Sequence, residues 1–257
     1  MSNCNNVNTT GSTTPGSAEE DFYLAVAKGD FTGYTKVNKF GYNDSIGSSN
    51  FEVIWETGGT YPYQSSAVTV DVVSDNANDD VAGTGARTLK IQGLDGSYNL
   101  AEETVDMDGT ATVTTTQTFL RVFRMSVETA GTSGNNEGDI TVTYTGGSDV
   151  AATISAGNGQ TLMALYTIPA GKTGYVVAFN FSSGKDQDQT CKLLTRDNTV
   201  VNAGFQTKEY INIRGGFTNF QKRAMTKVTE KSDIELQALG SSTTSASGGF
   251  ELILIDN

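Results

Sequence analysis

Residues 67–73, AVTVDVV, place valine side chains at alternate positions of a short stretch. Alternation of apolar and polar residues with a period of two is typical of a half-buried β-strand. Runs of the same kind recur at residues 119–127 (FLRVFRMSV), 175–181 (YVVAFNF) and 250–255 (FELILI). The chain is therefore predicted to be an all-β protein built from antiparallel strands.

The strand-like runs fall into two consecutive sets, at residues 68–147 and 148–257. Turn signals such as Asp95-Gly96 separate the runs at a spacing typical of β-sandwiches. Each set is long enough to bury a core of its own. We therefore expect one or two antiparallel β-sandwich domains of jelly-roll-like form, preceded by an extended N-terminal arm. The best candidate for a helical turn lies within residues 21–30.

The N-terminal part of the chain has a different composition. Residues 1–20 contain almost no large apolar side chain and are predicted to be a disordered leader. Residues 21–67 place many aromatic side chains beside glycines, which suits an arm that docks on another surface. The alternative is that this segment covers the sandwich of its own chain. On the docking interpretation, a chain that lacks residues 1–63 keeps a soluble β-rich body. The aromatic residues assigned to docking are Phe31, Tyr34, Phe40, Tyr42, Trp55, Tyr61 and Tyr63.

The chain contains no histidine. Histidine is the usual proton carrier near neutral pH and the commonest metal ligand, so histidine-based nucleophile pairs are excluded. A glycosidase needs two facing carboxylates in a cleft, and Glu102-Glu103 lies on a polar hairpin with few aromatic residues near it. We therefore expect no catalytic residue, no cofactor and no enzymatic activity.

Three groups of aspartates are candidate metal ligands: Asp75, Asp79 and Asp80; Asp106 and Asp108; and Asp186 and Asp188. Calcium requires six to eight oxygen ligands, and an EF-hand loop ends in a glutamate at a defined distance. None of the three groups has that spacing. These aspartates are interpreted as solvated turn residues, and no metal site is predicted.

The net charge of −12 argues against binding to nucleic acid or to anionic lipid, since both are negatively charged. No run approaches the roughly 18 apolar residues of a membrane-spanning helix, and the N-terminus lacks the basic and apolar regions of a secretion signal. The two cysteines, Cys4 and Cys191, are not expected to form a disulfide.

A basic cluster stands out in this acidic chain, around the sequence GGFTNFQKRAMTK. It has two interpretations: a second interface for an acidic neighbouring subunit, or a solvated loop. Its members are Arg214, Lys222, Arg223 and Lys227.

Four stretches together resemble a family of virion structural proteins of tailed bacteriophages, of the type common in marine and cyanobacterial phages. They are VAKGDFTGYTKVNKFGYND (26–44), IWETGGTYPYQSSA (54–67), GARTLKIQGLDGSYNLAEETVDMDGTATVTTTQTFLRVFRMSVETAG (85–131) and QTLMALYTIPAGKTGYVVAF (160–179). The resemblance covers about residues 25 to 185. It implies a non-enzymatic part of the particle, assembled in the host cytoplasm.

On this basis the chain is expected to be a homo-oligomeric component of the tail, neck or fibre attachment, with a trimer favoured. Its expected partners are further copies of itself and other virion proteins, reached through the N-terminal arm. Two alternatives remain open: a capsid decoration (cement) protein, and a receptor-binding or glycan-binding module that contacts a host surface glycan.

Overall fold

The computed structural model describes residues 18–257, except the side chains of residues 18–21, 185, 186 and 223. Most of the predicted leader, residues 1–17, lies outside the described residues. The helix α1 (Ala18–Lys28) coincides with the predicted helical candidate. All other regular elements described are strands, and every pairing between them is antiparallel, so the predicted all-β fold class is confirmed.

Fourteen strands follow α1. They are β1 (Tyr34–Ile46), β2 (Glu52–Val53), β3 (Val70–Ser74), β4 (Ala86–Leu94), β5 (Leu100–Asp106), β6 (Val113–Thr114), β7 (Arg121–Ala130), β8 (Ile140–Tyr144), β9 (Val150–Ile154), β10 (Leu165–Thr167), β11 (Lys172–Asp197), β12 (Gln206–Val228), β13 (Ser232–Gly240) and β14 (Thr244–Asp256).

The largest sheet has seven strands and is organised around β11. On one side, β11 pairs with β14 along its first half and with β13 along its second half. On its other side, β11 pairs with β12 along nearly its whole length. The register of β11 shifts between Ser183 and Asp188, at the place where its partner changes from β14 to β13. Beyond β14 lies β1, and beyond β13 lie β10 and β2.

Two smaller sheets complete the fold, with strand orders β6-β3-β8-β9 and β5-β4-β7. The boundary predicted between residues 147 and 148 is wrong, because it falls in the turn of the β8–β9 hairpin. Strand β9 therefore belongs with the smaller sheets. The buried apolar residues of all three sheets form one continuous cluster that includes Trp55, Phe119, Tyr144 and Phe250.

The segment predicted as a docking arm is largely a structural part of this chain. Strand β1 pairs with β14 from Tyr34 to Ile46. At Gly41 the strand passes so close to its neighbours that an added Cβ atom would lie 2.0 Å from the carbonyl oxygen of Ile54. A side chain at this position would force the backbones apart, so β1 is closely packed on its own fold.

The docking role predicted for Trp55 and Tyr61 is wrong, and for them the alternative of covering their own sandwich applies. Trp55 is 2% exposed, and its ring packs edge-on against that of Tyr61 at 5.3 Å between centroids. The Tyr61 hydroxyl lies 2.7 Å from the Tyr144 hydroxyl and donates to the carbonyl oxygen of Val122. Large aromatic side chains of this kind fill the interior between the sheets, because burial of their area stabilises the fold.

Candidate assembly surface

Strand β12 is the longest edge in the described part of the chain. Over its 23 residues it pairs with β11, with three register shifts, and with no other described strand. The edge is long but not straight, because Lys222 forms an ion pair with Glu209, 13 residues earlier in the same strand. An unpaired strand edge presents backbone N–H and C=O groups that another chain can pair with.

Large apolar side chains are exposed along β12. Tyr210 is 58% exposed and Phe217 67% exposed, and Phe220 and Met225 are also exposed. The ring of Phe220 stacks on that of Phe179, with 5.1 Å between centroids. We call the exposed side chains and the outer edge of Gln206–Val228 the β12 surface. Exposed aromatic side chains and methionine are enriched at protein–protein interfaces, so these residues make β12 a candidate contact surface.

The basic cluster also lies on β12, so the alternative of a solvated loop is wrong for it. The Arg214 guanidinium lies 4.0 Å from the carboxylate of Asp188 on β11. Lys222 forms an ion pair with Glu209 of the same strand, and Lys227 is exposed. Arg223 is part of the strand, but its side chain is outside the described set. The structure therefore brings the predicted second interface and the exposed apolar side chains onto one strand.

Four more of the predicted docking residues lie on β1 or just before it. Phe31 and Tyr34 have ring centroids 5.7 Å apart, and both rings contact Phe22 of α1. Phe31 and Tyr42 are exposed, whereas Phe40 is half-buried beneath the guanidinium of Arg124. A docking role for these four residues remains a prediction.

Tyr63, the last of the predicted docking residues, belongs to an interior charge network. Its ring is flanked by the guanidinium groups of Arg121 and Arg196, at 4.9 and 4.3 Å from the ring centroid. Its hydroxyl donates to Glu235 at 2.5 Å. Burial, and then the charge of Glu235, raises the pKa of Tyr63 well above its usual value. Tyr63 therefore contributes to contacts within its own chain, and its docking role stays a prediction.

The centre of this network is Asp233, which is fully buried. It accepts hydrogen bonds from Arg121 at 3.1 Å and from Arg196 at 2.6 Å. The Thr167 hydroxyl and the Asn198 amide donate to it as well, at 2.6 and 2.8 Å. Arg121 comes from β7 and Asp233 from β13, so the network joins a small sheet to the large one. Its groups bond to one another and are buried, which favours a structural role over a reactive one.

Sequence reasoning did not find this network. Its bonded members are separated by up to 172 residues along the chain. The sequence signals are Arg121, which lies within the mainly apolar run FLRVFRMSV, and Asp233 and Glu235, which alternate with apolar residues. A charged residue inside a buried strand is rarely left without a partner of opposite charge.

One of the acidic turn residues is placed differently from the prediction. Asp79 is fully buried, so its interpretation as a solvated residue is wrong. Its carboxylate accepts hydrogen bonds from the Ser74 hydroxyl and from the backbone N–H groups of Ala86, Glu137 and Gly138. The carboxylate thus holds two loops together through groups that sequence spacing does not reveal.

Comparison with known proteins adds no family assignment: no protein-family model matches this chain, and no curated protein matches it in sequence. Within residues 18–257, no helix is long and apolar enough to cross a membrane.

Proposed function

We propose that this chain is a non-enzymatic structural subunit of a bacteriophage particle that assembles with copies of itself through the β12 surface. The tail, neck or fibre attachment is the proposed location in the virion. The resemblance of residues 25 to 185 to virion proteins supports the assignment to a phage particle. The proposed assembly depends mainly on the β12 surface, whose long outer edge is unpaired and which exposes large apolar side chains.

The exposed edge supports assembly because folded proteins generally protect such edges. Short length, bulges, covering loops and charged side chains are the usual means of protection. Although β12 carries charged side chains and its register with β11 shifts at three places, it is long, and large apolar side chains are exposed between the charges. Aromatic side chains such as Tyr210 and Phe217 contribute strongly to interfaces when they enter pockets on a partner.

The distribution of charge favours a second copy as the partner. Within Gln206–Val228 there are five lysine and arginine residues and a single glutamate. Residues 68–154 contain thirteen aspartates and glutamates against four arginines and lysines. Complementary charge of this kind orients partners and accelerates their association. Contact between β12 of one subunit and the acidic region of the next is head-to-tail. Such contacts form a ring when the rotation between subunits closes, and the trimer is the smallest such ring.

The assembly is tested by the mass of the full chain in solution, measured by light scattering during size-exclusion chromatography. We expect a closed oligomer for the natural chain. The double variant Tyr210→Ser and Phe217→Ser is expected to shift it toward the monomer, and so is a rise in salt concentration, because exposed charges are screened. Both side chains are more than half exposed, so the fold should be retained.

The matched control is Val201→Ser, in the turn between β11 and β12, where the valine is 87% exposed. It removes exposed apolar area outside β12 and should leave the oligomer intact. A natural chain that is monomeric at all concentrations would overturn assembly through β12. The position in the particle is tested separately, by quantitative mass spectrometry of purified virions. A copy number near that of the major capsid protein favours a decoration protein, whereas a small multiple of the tail symmetry favours the tail.

A further inference from the structure

A cleft of about 550 Å³ opens between β1 and the sheet β5-β4-β7, on a different part of the molecule from the β12 surface. This volume lies in the range of roughly 300–1,000 Å³ that is typical of small-molecule sites. The lining residues that matter here are Lys39, Gln92, Glu102, Phe123, Arg124 and Tyr166.

Two neighbouring cations in this cleft have no carboxylate partner. Lys39 is only 2% exposed, and its ammonium group donates to the carbonyl oxygen of Phe123. Arg124 donates to the side chain of Gln160 at 3.2 Å and to the carbonyl oxygen of Asn38 at 2.8 Å. No carboxylate among the described side chains forms an ion pair with either cation. Buried charges such as Lys39 are normally paired, so the cleft has room for an anion beside the two cations.

The pKa of Lys39 agrees with this deficit of negative charge. Burial, and then the charge of Arg124, lowers the pKa of Lys39 well below that of an ordinary lysine. An anion bound beside the two cations would offset both effects, because it favours the protonated amine.

The backbone of β7 is shaped for this contact by a β-bulge. Gln92 and Gly93 of β4 face Arg124 and Val122, so Phe123 is an extra residue between the two pairs. Its carbonyl oxygen is directed to Lys39 rather than to β4. Bulges are common beside binding sites because they redirect the groups of one residue.

Two aromatic rings and a hydroxyl complete the lining. The rings of Phe123 and Tyr166 are tilted against each other, with 4.7 Å between centroids. Tyr166 is buried, yet its hydroxyl makes no hydrogen bond to any group in the described part of the chain. The hydroxyl itself is not fully enclosed, so it can donate to a molecule in the cleft. The cleft therefore offers a donor, apolar ring surface and two cations together.

We infer that this cleft binds a monoanionic sugar of hexose size, with its carboxylate at Lys39 and Arg124 and its ring against Phe123 and Tyr166. Apolar ring surface suits the C–H groups of a sugar, and the amide of Gln92 suits its hydroxyl groups. Lys36 and Glu102 also line the cleft, but each is paired with a residue outside it, Glu251 and Lys90, so Lys39 and Arg124 remain for the carboxylate. The inference is independent of the proposed assembly, because β12 contributes no residue to the cleft.

The test uses the full chain and three small probes, D-glucuronate, D-glucose and acetate, titrated by isothermal calorimetry and by saturation-transfer NMR. Glucuronate is expected to bind saturably. Glucose lacks the carboxylate and acetate lacks the ring, so each should bind at least about tenfold more weakly, a loss that one charged hydrogen bond or one buried ring can account for. Equal binding of glucose would overturn recognition of charge, and equal binding of acetate would overturn recognition of a sugar.

Two variants test the residues, and a third is the matched control. Lys39→Met and Arg124→Gln should each weaken glucuronate binding by at least about tenfold, with an unchanged far-ultraviolet spectrum. Lys172→Gln removes a lysine whose ion pair with Asp256 lies outside the cleft, so it should bind as the natural chain does. Absence of saturable glucuronate binding to the natural chain, or unchanged binding by Lys39→Met, would overturn the proposal. Neither result bears on the oligomeric state.

Discussion

Asp233 shows how much of this fold depends on one buried carboxylate. It binds Arg121, which is 3% exposed, and Arg196, and it lies where a small sheet meets the large one. Replacing one member of a buried ion pair leaves the other charge uncompensated, which is more costly than the loss of a surface pair. The side chains around Asp233 therefore depend on its charge as well as on its shape.

We expect Asp233→Asn to lower the free energy of unfolding by about 3–5 kcal/mol, because Arg121 stays buried without a counter-charge. Urea denaturation followed by far-ultraviolet circular dichroism measures the change. Asp256→Asn is the matched control, since Asp256 pairs with Lys172 at an exposed site. The variant Asp256→Asn should lower the free energy of unfolding by no more than about 1 kcal/mol. Equal losses in the two variants would contradict the structural role assigned to Asp233.

Lys39 presents the opposite case, a buried charge that weakens the fold. Burial, and then Arg124, lowers its pKa well below the ordinary value of 10.5. Between the folded-state pKa and pH 10.5, the unfolded chain binds more protons at Lys39 than the folded chain does. The contribution of Lys39 to the free energy of unfolding therefore rises with pH across this window. Below the folded-state pKa, this contribution no longer changes with pH.

For this reason we expect the natural chain to gain stability relative to Lys39→Met as pH rises toward 10.5. The gain is about 1.4 kcal/mol for each unit by which the pKa of Lys39 is lowered. Urea unfolding of both proteins at several pH values measures the difference, and effects of the buried tyrosines cancel in it. Lys36→Met, which removes an exposed lysine from the same strand, is the control and should give a nearly constant difference. A constant difference for Lys39→Met as well would show that its pKa is ordinary.

Among the elements, β1 changes the interpretation of the N-terminal segment most. It pairs with β14 and passes within backbone contact of Ile54 and Ala164. The segment that follows it carries Trp55 and Tyr61 into the core. Residues 34–61 therefore contribute to folding, whatever the residues before them do in assembly.

Removal of residues 1–63 is therefore expected to prevent folding, contrary to the expectation from sequence. It would remove β1, β2 and two core aromatic rings, and truncation of even one such ring costs about 3–5 kcal/mol. Removal of residues 1–33 should leave a folded protein, because it ends before β1. Circular dichroism and thermal melting of the two truncated chains distinguish these outcomes. A cooperative melt of the chain lacking residues 1–63 would show that β1 is dispensable.

At the scale of the whole molecule, the three sheets share one core. The cluster of buried apolar residues is continuous from β3 and β4 to β13 and β14. The Asp233 network crosses between the sheets with hydrogen bonds and ion pairs. Sheets joined in both ways are expected to unfold together, since neither half keeps its contacts without the other.

Differential scanning calorimetry should accordingly show a single transition. Its calorimetric enthalpy should equal its van't Hoff enthalpy, as expected when the whole chain unfolds as one unit. The measurement is made on the Tyr210→Ser and Phe217→Ser variant, so that dissociation of an oligomer does not broaden the peak. Two resolved transitions would indicate two independent sandwiches, as one of the alternatives from sequence had it.

The sequence by itself determined the properties that are local. Alternation of apolar residues identified all-β structure, and residues 21–30 were the best candidate for a helical turn, because both follow from the geometry of a few neighbouring residues. The basic character of residues 206–228 was visible for the same reason.

Only the tertiary structure decided which strands pair and which charged groups meet. Runs predicted at residues 119–127, 175–181 and 250–255 could combine in many antiparallel orders, and the choice depends on contacts between residues far apart in the chain. The Asp233 network, the cleft at Lys39 and the exposure of the β12 edge all follow from that choice. Tyr63 and Phe217 are both aromatic, and the sequence does not distinguish their surroundings. Tyr63 is half-buried between two guanidinium groups and Phe217 is exposed, because only the fold determines what lies above each ring.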